Sequence, residues 1–267
     1  MNTRQWKTSV TDMPDFRLLA DSLIPVVRKA GSAIMGIYES DFAVLQKDDD
    51  SPVTAADRVA EDILVPALRD LTPDFPVVAE EAVAAGDCPS VGSGPFWLVD
   101  PLDGTKEFVR RNGEFTVNIG LVSRQHPVFG IVYLPVSDVL YLGYGSGGAF
   151  RYTGDSLPER LQCRAPGAEG LTVLSSRSHA KGETLSAWLA DKVVASIVNA
   201  GSSLKFCRLA EGTADVYPRF GPTSEWDTCA GHAVLLAAGG RMTCLDGTPF
   251  VYGKPGFGNP GFIASGL

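Results

Sequence analysis

WLVDPLDGT, Trp97 to Thr105, is the stretch on which the reading of this chain turns. Trp97, Leu98 and Val99 belong to an apolar strand candidate, Phe96 to Val99, that delivers Asp100 at its end. Pro101 then forces a turn, and Asp103 returns near the place Asp100 occupies. The Leu102 carbonyl lies between the two aspartates, so three hard oxygens gather within four residues, the donor type magnesium takes. Gly104 and Thr105 lead into Lys106-Glu107-Phe108, a helix start, where unpaired backbone N–H groups can hold a phosphate. A lone Asp-x-x-Asp reads rather as a turn whose aspartates merely cap a helix.

Two further acidic ends change that balance. Phe75 to Ala79 is a short apolar strand candidate closed by Glu80-Glu81, and Trp226-Asp227 precedes an apolar helix running from Thr228 to Ala238. A glutamate pair by itself is an ordinary surface feature. Three acidic strand or helix ends in one chain fit a site for several cations better. Asp-x-Asp-x-Thr, the motif of a phosphorylated aspartate nucleophile, is absent: the aspartates stand three apart, and Asp103 meets Thr105. His126, His179 and His232 flank no Gly-x-Ser-x-Gly elbow, and His232 lies in an apolar helix where packing explains it. A metal-activated water is the economical mechanism.

Phe16 to Tyr38 carries apolar residues at helical spacing. The polar run Lys47 to Pro52 reads as a solvated loop, and Thr54-Ala55-Ala56-Asp57 as a capping box opening a helix that runs to Leu71. Phe115–Val122, Val128–Leu134 and Val139–Leu142 are strands in a sheet read as antiparallel. Gly143 to Gly148 matches GxGxxG formally, but Ala149-Phe150-Arg151-Tyr152 after it is strand-like, so the glycines make a hairpin turn. After Thr153 strands and helices alternate: Leu171–Ser175, Lys181–Leu189, Val193–Val198, Ser203–Glu211 and Ala214–Tyr217 precede the last helix. That pattern predicts an α/β half with a largely parallel sheet.

The chain has 267 residues, 45% of them hydrophobic, enough for one large domain or two moderate ones. A net charge of −8 excludes wrapping a nucleic-acid polymer but leaves a small anion in a local positive pocket open. No apolar run is long enough to cross a bilayer and no secretory leader is read at the start. Five cysteines without CxxC spacing fit reduced thiols in the cytoplasm, not a zinc site or a disulfide framework.

Taken together, Glu80-Glu81, Asp100-Pro101-Leu102-Asp103-Gly104-Thr105 and Trp226-Asp227-Thr228-Cys229-Ala230-Gly231 resemble the signature of the inositol monophosphatase superfamily: a Glu-Glu pair, DP(I/L)DGT and WDxxAG. The resemblance runs from about Phe16 to Phe262. Within the superfamily, SPVTAAD (Ser51–Asp57), the stretch Trp97–Val122, SSRSHA (Ser175–Ala180), GSSLKFC (Gly201–Cys207) and Tyr217–Ala233 are most similar to bacterial 3'(2'),5'-bisphosphate nucleotidases.

The resemblance implies an α+β fold, a layered αβαβα sandwich. Its N-terminal half, 1–153, would carry the antiparallel sheet and most metal ligands, and residues 154–267 would complete the site and bind substrate. It implies two or three Mg2+ ions held by Glu80, Asp100, the Leu102 carbonyl, Asp103 and Asp227. Thr105 paired with Asp57 would orient the attacking water, with Glu81 as a further catalytic group; the capping-box role of Asp57 stands beside this. Asp103, Gly104, Thr105, Lys106, His179, Ser203, Lys205, Arg219 and Asp227 would contact substrate. Most weight rests on Arg219 and Lys205, since Arg219 stands where inositol phosphatases carry a glutamate, and a cation there suits a second phosphate. Lys106, Arg110 and Arg111, each taken alone, read as solvated surface charges.

The substrate class implied is a small nucleotide bisphosphate, adenosine 3',5'-bisphosphate or its sulfated relative, within sulfate assimilation. Inositol 1-phosphate and fructose 1,6-bisphosphate are the alternatives, and a non-catalytic metal or nucleotide sensor is a third reading. Lithium inhibition, a monomer or homodimer, and a cytoplasmic site with peripheral association at the inner membrane's cytoplasmic face complete the expectation.

Overall fold

The computed structural model describes residues 13–41, 44–46, 52–177 and 182–267. Helix α1 (Phe16–Tyr38) starts where the Asp15 carboxylate accepts from the Arg17 amide at 2.9 Å. A short pair, β1 (Leu45–Gln46) and β2 (Pro52–Val53), precedes α2 (Ala55–Leu71), which opens on the Thr54–Asp57 capping box read from the sequence. Next come β3 (Val77–Ala79), α3 (Glu80–Ala84), β4 (Phe96–Asp103) and α4 (Thr105–Val109). β5 (Thr116–Ser123), β6 (His126–Leu134), β7 (Val139–Tyr144), β8 (Gly148–Thr153) and β9 (Glu159–Leu161) follow. They form a seven-stranded sheet in chain order from β3 to β9, antiparallel except where β3 meets β4. The glycines after β7 make the hairpin turn into β8. The polar run Lys47–Ser51 lies outside the described residues.

The rest of the chain builds β10 (Leu171–Ser176), α5 (Gly182–Leu189), β11 (Val194–Ala200), α6 (Leu204–Ala210), β12 (Val216–Arg219), β13 (Thr223–Ser224), α7 (Glu225–Ala237), β14 (Arg241–Cys244), β15 (Gly258–Asn259) and β16 (Phe262–Ser265). Here the expectation of a largely parallel sheet needs correction. The order is β11-β10-β12-β16-β14, and only the pairs around β10 are parallel; β16 enters antiparallel between β12 and β14. Both added strands are four residues long, too short for a periodic signal, and tertiary pairing makes them strands.

Alternation along the first sheet sorts the core into two. Trp97, Val99, Ile119, Leu121, Phe129 and Ile131 pack under α1 and α2. Phe96, Leu98, Val132 and Tyr141 face the other way, onto α6, α7 and the second sheet. The result is the layered α+β sandwich expected. No helix among the described residues is long and apolar enough to cross a membrane.

A row of glycines positions the most important helix. Gly120 pairs with Gly130 and Gly130 with Gly143, so three adjacent strands present bare backbone at one level. Helix α7 lies in that trough. A Cβ on Gly130 would sit 2.3 Å from the Ala230 carbonyl oxygen, and one on Gly120 would sit 2.5 Å from Cys229 Sγ. Neither neighbour can yield cheaply, because the first is helix backbone. Gly130→Ala is expected to destabilise the fold by about 1–3 kcal/mol. Gly36→Ala, in a helix where an added Cβ meets nothing, should stabilise by about 0.5–1 kcal/mol. Urea titrations of both variants check this, and equal midpoints would refute the trough.

Candidate functional site

Strand β4 does not turn at Pro101, as its sequence predicts; it bulges. Asp100 pairs with Asn118 and Asp103 with Thr116, so one step on β4 is a residue longer than its match on β5. Proline has no N–H to give to the ladder, so a bulge accommodates it without loss. Past the bulge, Asp103 reaches the wall of the cleft, while Asp100 stays in the interior. Asp100 is buried, with one carboxylate oxygen accepting from the Leu102 amide at 3.0 Å. Asp103 accepts from the Ser203 amide at 2.6 Å and from Asn118 Nδ2 at 3.3 Å.

Two other elements bring acids to the same place. Glu80 and Glu81 begin α3 immediately after β3, and so open a helix where the sequence had them closing a strand. Asp227 lies inside the first turn of α7, which starts at Glu225 and not at Thr228. Its carboxylate accepts from the Ser224 amide at 2.8 Å, the return half of a capping box. The charges feel one another strongly. Withdrawal from water pushes the Asp100 carboxyl well above the ordinary range, and Glu80, Asp103 and Asp227 push it further. Asp227 is raised well above its usual value by burial and then by Asp103, and Asp103 is raised by burial against the opposing pull of Lys205.

All of these acids but the buried Asp100 border a cleft of about 1190 Å³, room for a nucleotide. Glu80, Asp103, Thr105, Lys205, Arg219 and Asp227 are on its wall. No group of three His, Cys, Asp or Glu side chains among the described residues is already arranged as a metal cage. The donor chemistry nevertheless fits a hard divalent cation: the acids are all carboxylates, and the mutual repulsion is what a cation would relieve. His232 takes no part. It is buried beside the Tyr252 hydroxyl at 3.0 Å, and burial lowers its pKa to about 3.

Asp57 makes both of the contacts read for it. Its Oδ2 accepts from the Thr54 amide at 2.8 Å, closing the capping box, while its Oδ1 accepts from the Thr105 hydroxyl at 3.4 Å. That hydroxyl also stands 3.4 Å from the Leu102 carbonyl. Burial, opposed by the Thr54 hydrogen bonds and assisted by Glu81 and Glu80, lifts Asp57 to about 6. Gly104 has φ 92°, a left-handed conformation that turns β4 into α4.

The cations divide. Lys205 is buried, its Nζ donating to the Ser202 carbonyl at 2.6 Å and the Ala200 carbonyl at 3.2 Å, and burial lowers its pKa to about 8. Arg219 ends β12 and donates to the Gly221 and Pro222 carbonyls, which shapes the loop before α7. Lys106 is exposed at the cleft. Arg111 donates to the Tyr38 carbonyl at 2.6 Å and so ties α4 to the end of α1. Ser203, read as a substrate contact, is corrected: it is buried, and its hydroxyl donates to the Asp227 carbonyl at 2.7 Å. It joins Asp103 to α7. Asn118 was not singled out, although a lone amide in the apolar strand VNIGLV was a legible signal; it bonds both Asp103 and Ser203. His179 lies outside the described residues.

Carboxylates from β4, α3 and α7 around a cleft between two sheets define the class, and the chain belongs to the inositol monophosphatase family, whose sequence profile matches residues 17–261. Members are metal-dependent phosphatases, typically with Mg2+. More narrowly, the chain is 44% identical over 250 residues to the 3'(2'),5'-bisphosphate nucleotidase CysQ of Escherichia coli (strain K12), a match covering 92% of this chain and 99% of that protein. CysQ of Salmonella typhimurium is also 44% identical, over 91% of this chain and 98% of its own. The crystal structure of CysQ from Bacteroides thetaiotaomicron superposes with a TM-score of 0.77 at 40% identity, covering 94% of this chain and 98% of that one. Inositol monophosphatase from Anabaena shares the fold, with a TM-score of 0.74 at 24% identity over 93% of this chain and 90% of its own.

A carboxyl whose pKa is raised by folding holds its proton more tightly when folded. Its contribution is present at low pH and is lost as pH rises through the folded pKa. Asp100→Asn removes that loss, so in EDTA at about pH 8 the variant should melt above the parent, with the gap narrowing toward about pH 5. Calorimetry at both values checks this; a variant that melts below the parent at the higher pH contradicts it.

Proposed function

We propose that this chain removes the 3'-phosphate of adenosine 3',5'-bisphosphate, giving AMP and inorganic phosphate, with Mg2+ as cofactor. One observation carries the reading: in a single cleft the carboxylates Glu80, Asp103 and Asp227 lie beside two cations, Lys205 and Arg219. Asp103 feels Lys205 and Asp227 feels Arg219 electrostatically. An acidic cluster selects divalent ions, and a cationic wall next to it selects a substrate with a second phosphate rather than a neutral polyol. Support also comes from the identity with CysQ proteins along nearly their whole length.

Glu80, Asp100, Asp103, Asp227 and the Leu102 carbonyl are the proposed ligands of two or three ions. Bound there, the metal supplies Lewis-acid neutralisation of phosphate charge and lowers the pKa of water. The chain's own residues do the rest. Asp57 accepts the Thr105 proton, which leaves the threonine oxygen free to accept from the attacking water. The first amides of α4, at Gly104 and Thr105, have no carbonyl partner within their helix and meet the scissile phosphate. Residues 1–153 supply most of the acids, and 154–267 supply Asp227, Lys205 and Arg219. Glu81, half-buried on the cleft wall, is proposed as a further catalytic group.

Asp103→Asn and Thr105→Ala are each expected to lower kcat by about 10²-fold or more, and EDTA should abolish phosphate release. A substrate panel of adenosine 3',5'-bisphosphate, inositol 1-phosphate and fructose 1,6-bisphosphate tests specificity. A higher kcat/KM for inositol 1-phosphate would overturn the nucleotide reading, and turnover unaffected by EDTA would overturn the metal.

A further inference from the structure

Helix α2 brings a carboxylate to the cleft wall at Glu61, one turn beyond the buried Asp57. Glu61 lies four residues on, and so on the same face. Its Oε2 accepts from the Glu81 amide at 3.0 Å. That N–H belongs to the first turn of α3, where a helix has no internal partner for it. The five-residue helix α3 begins at Glu80 with no side-chain cap of its own. Its anchor is therefore a glutamate from another helix. Asp57 holds the Thr105 hydroxyl by the same logic. One face of α2 thus sets the relative positions of α3, which carries Glu80 and Glu81, and α4, which carries Thr105.

We propose that Glu61 is a positioning residue that orients Glu80 and Glu81 for the metal, acting through the α3 backbone and touching neither metal nor substrate. This rests on the magnesium reading given above. The carboxylate works as a hydrogen-bond acceptor, so glutamine in its place should serve nearly as well, while an apolar residue of similar bulk should not. Removing a group that orients metal ligands typically weakens metal binding by about 10–100-fold.

The test compares the parent with Glu61→Gln, Glu61→Met and Glu61→Ala. Affinity for magnesium chloride alone is measured by titration calorimetry and by the magnesium-induced rise in melting temperature. Steady-state kinetics run alongside, with circular dichroism to confirm folding; two apolar variants are included so that one that folds is in hand. The expected result is at least tenfold weaker magnesium binding in Glu61→Met or Glu61→Ala, a higher magnesium requirement for turnover, KM for the nucleotide within twofold of the parent at saturating magnesium, and recovery in Glu61→Gln. Apolar variants that melt earlier yet bind magnesium like the parent would overturn the proposal and leave Glu61 a purely structural cap. A glutamine variant as weak as the apolar ones would also overturn it, since charge alone would then explain the loss. If the parent itself binds no magnesium, the magnesium reading fails, and the inference falls with it.

Discussion

Helix α7 rests on bare backbone, and the site depends on that contact. Gly120, Gly130 and Gly143 line up across three strands, and the helix approaches so closely that side chains at those positions would occupy its own atoms. The helix answers with small residues at two of the contacts, Cys229 and Ala230, and with its own backbone at Ala233 and Val234 against Gly143. Packing this tight leaves little freedom of tilt or register. Asp227, in the first turn, is therefore delivered at a fixed height above the β4 bulge. Ser203 and Asn118 then tie Asp227 and Asp103 together through hydrogen bonds that need both elements in place.

What is delivered is electrostatically unfavourable. Asp100, Asp103 and Asp227 are each raised by withdrawal from water, and the acids act on one another through a poorly screened interior. A core optimised for stability would not gather them. Sites that bind ions and transfer phosphate accept such strain, since the groups that repel one another are the groups that hold the cation. The interior cation Lys205, with its ammonium on two carbonyls, offsets part of the repulsion at Asp103.

Much of this was legible in the chain. WLVDPLDGT announced paired aspartates before a helix start, and the Thr54–Asp57 capping box formed where its four-residue pattern placed it. Long periodic elements such as α1 and the β5–β7 meander matched because each carries enough residues to show its period. The failures share a cause. Pro101 reads locally as a turn, and only pairing with β5 makes it a bulge. The strands β14 and β16 are too short to signal themselves. Ser203 looked like a substrate contact because its neighbourhood resembled one, while its burial is a property of the packed molecule.

The sequence by itself determined which acids exist, which local element carries each, and that together they suit a hard cation, because residue type and short-range spacing govern donor chemistry and helix starts. Only the packed molecule brings Glu80, Asp103 and Asp227 onto one cleft wall with the buried Asp100 within their electrostatic reach, caps α3 with Glu61, and buries Lys205 near Asp103. The physical reason is distance along the chain. Residues from 80 to 227 meet only after two sheets have packed on α7, and nothing in the spacing of neighbours records where such layers will come to rest.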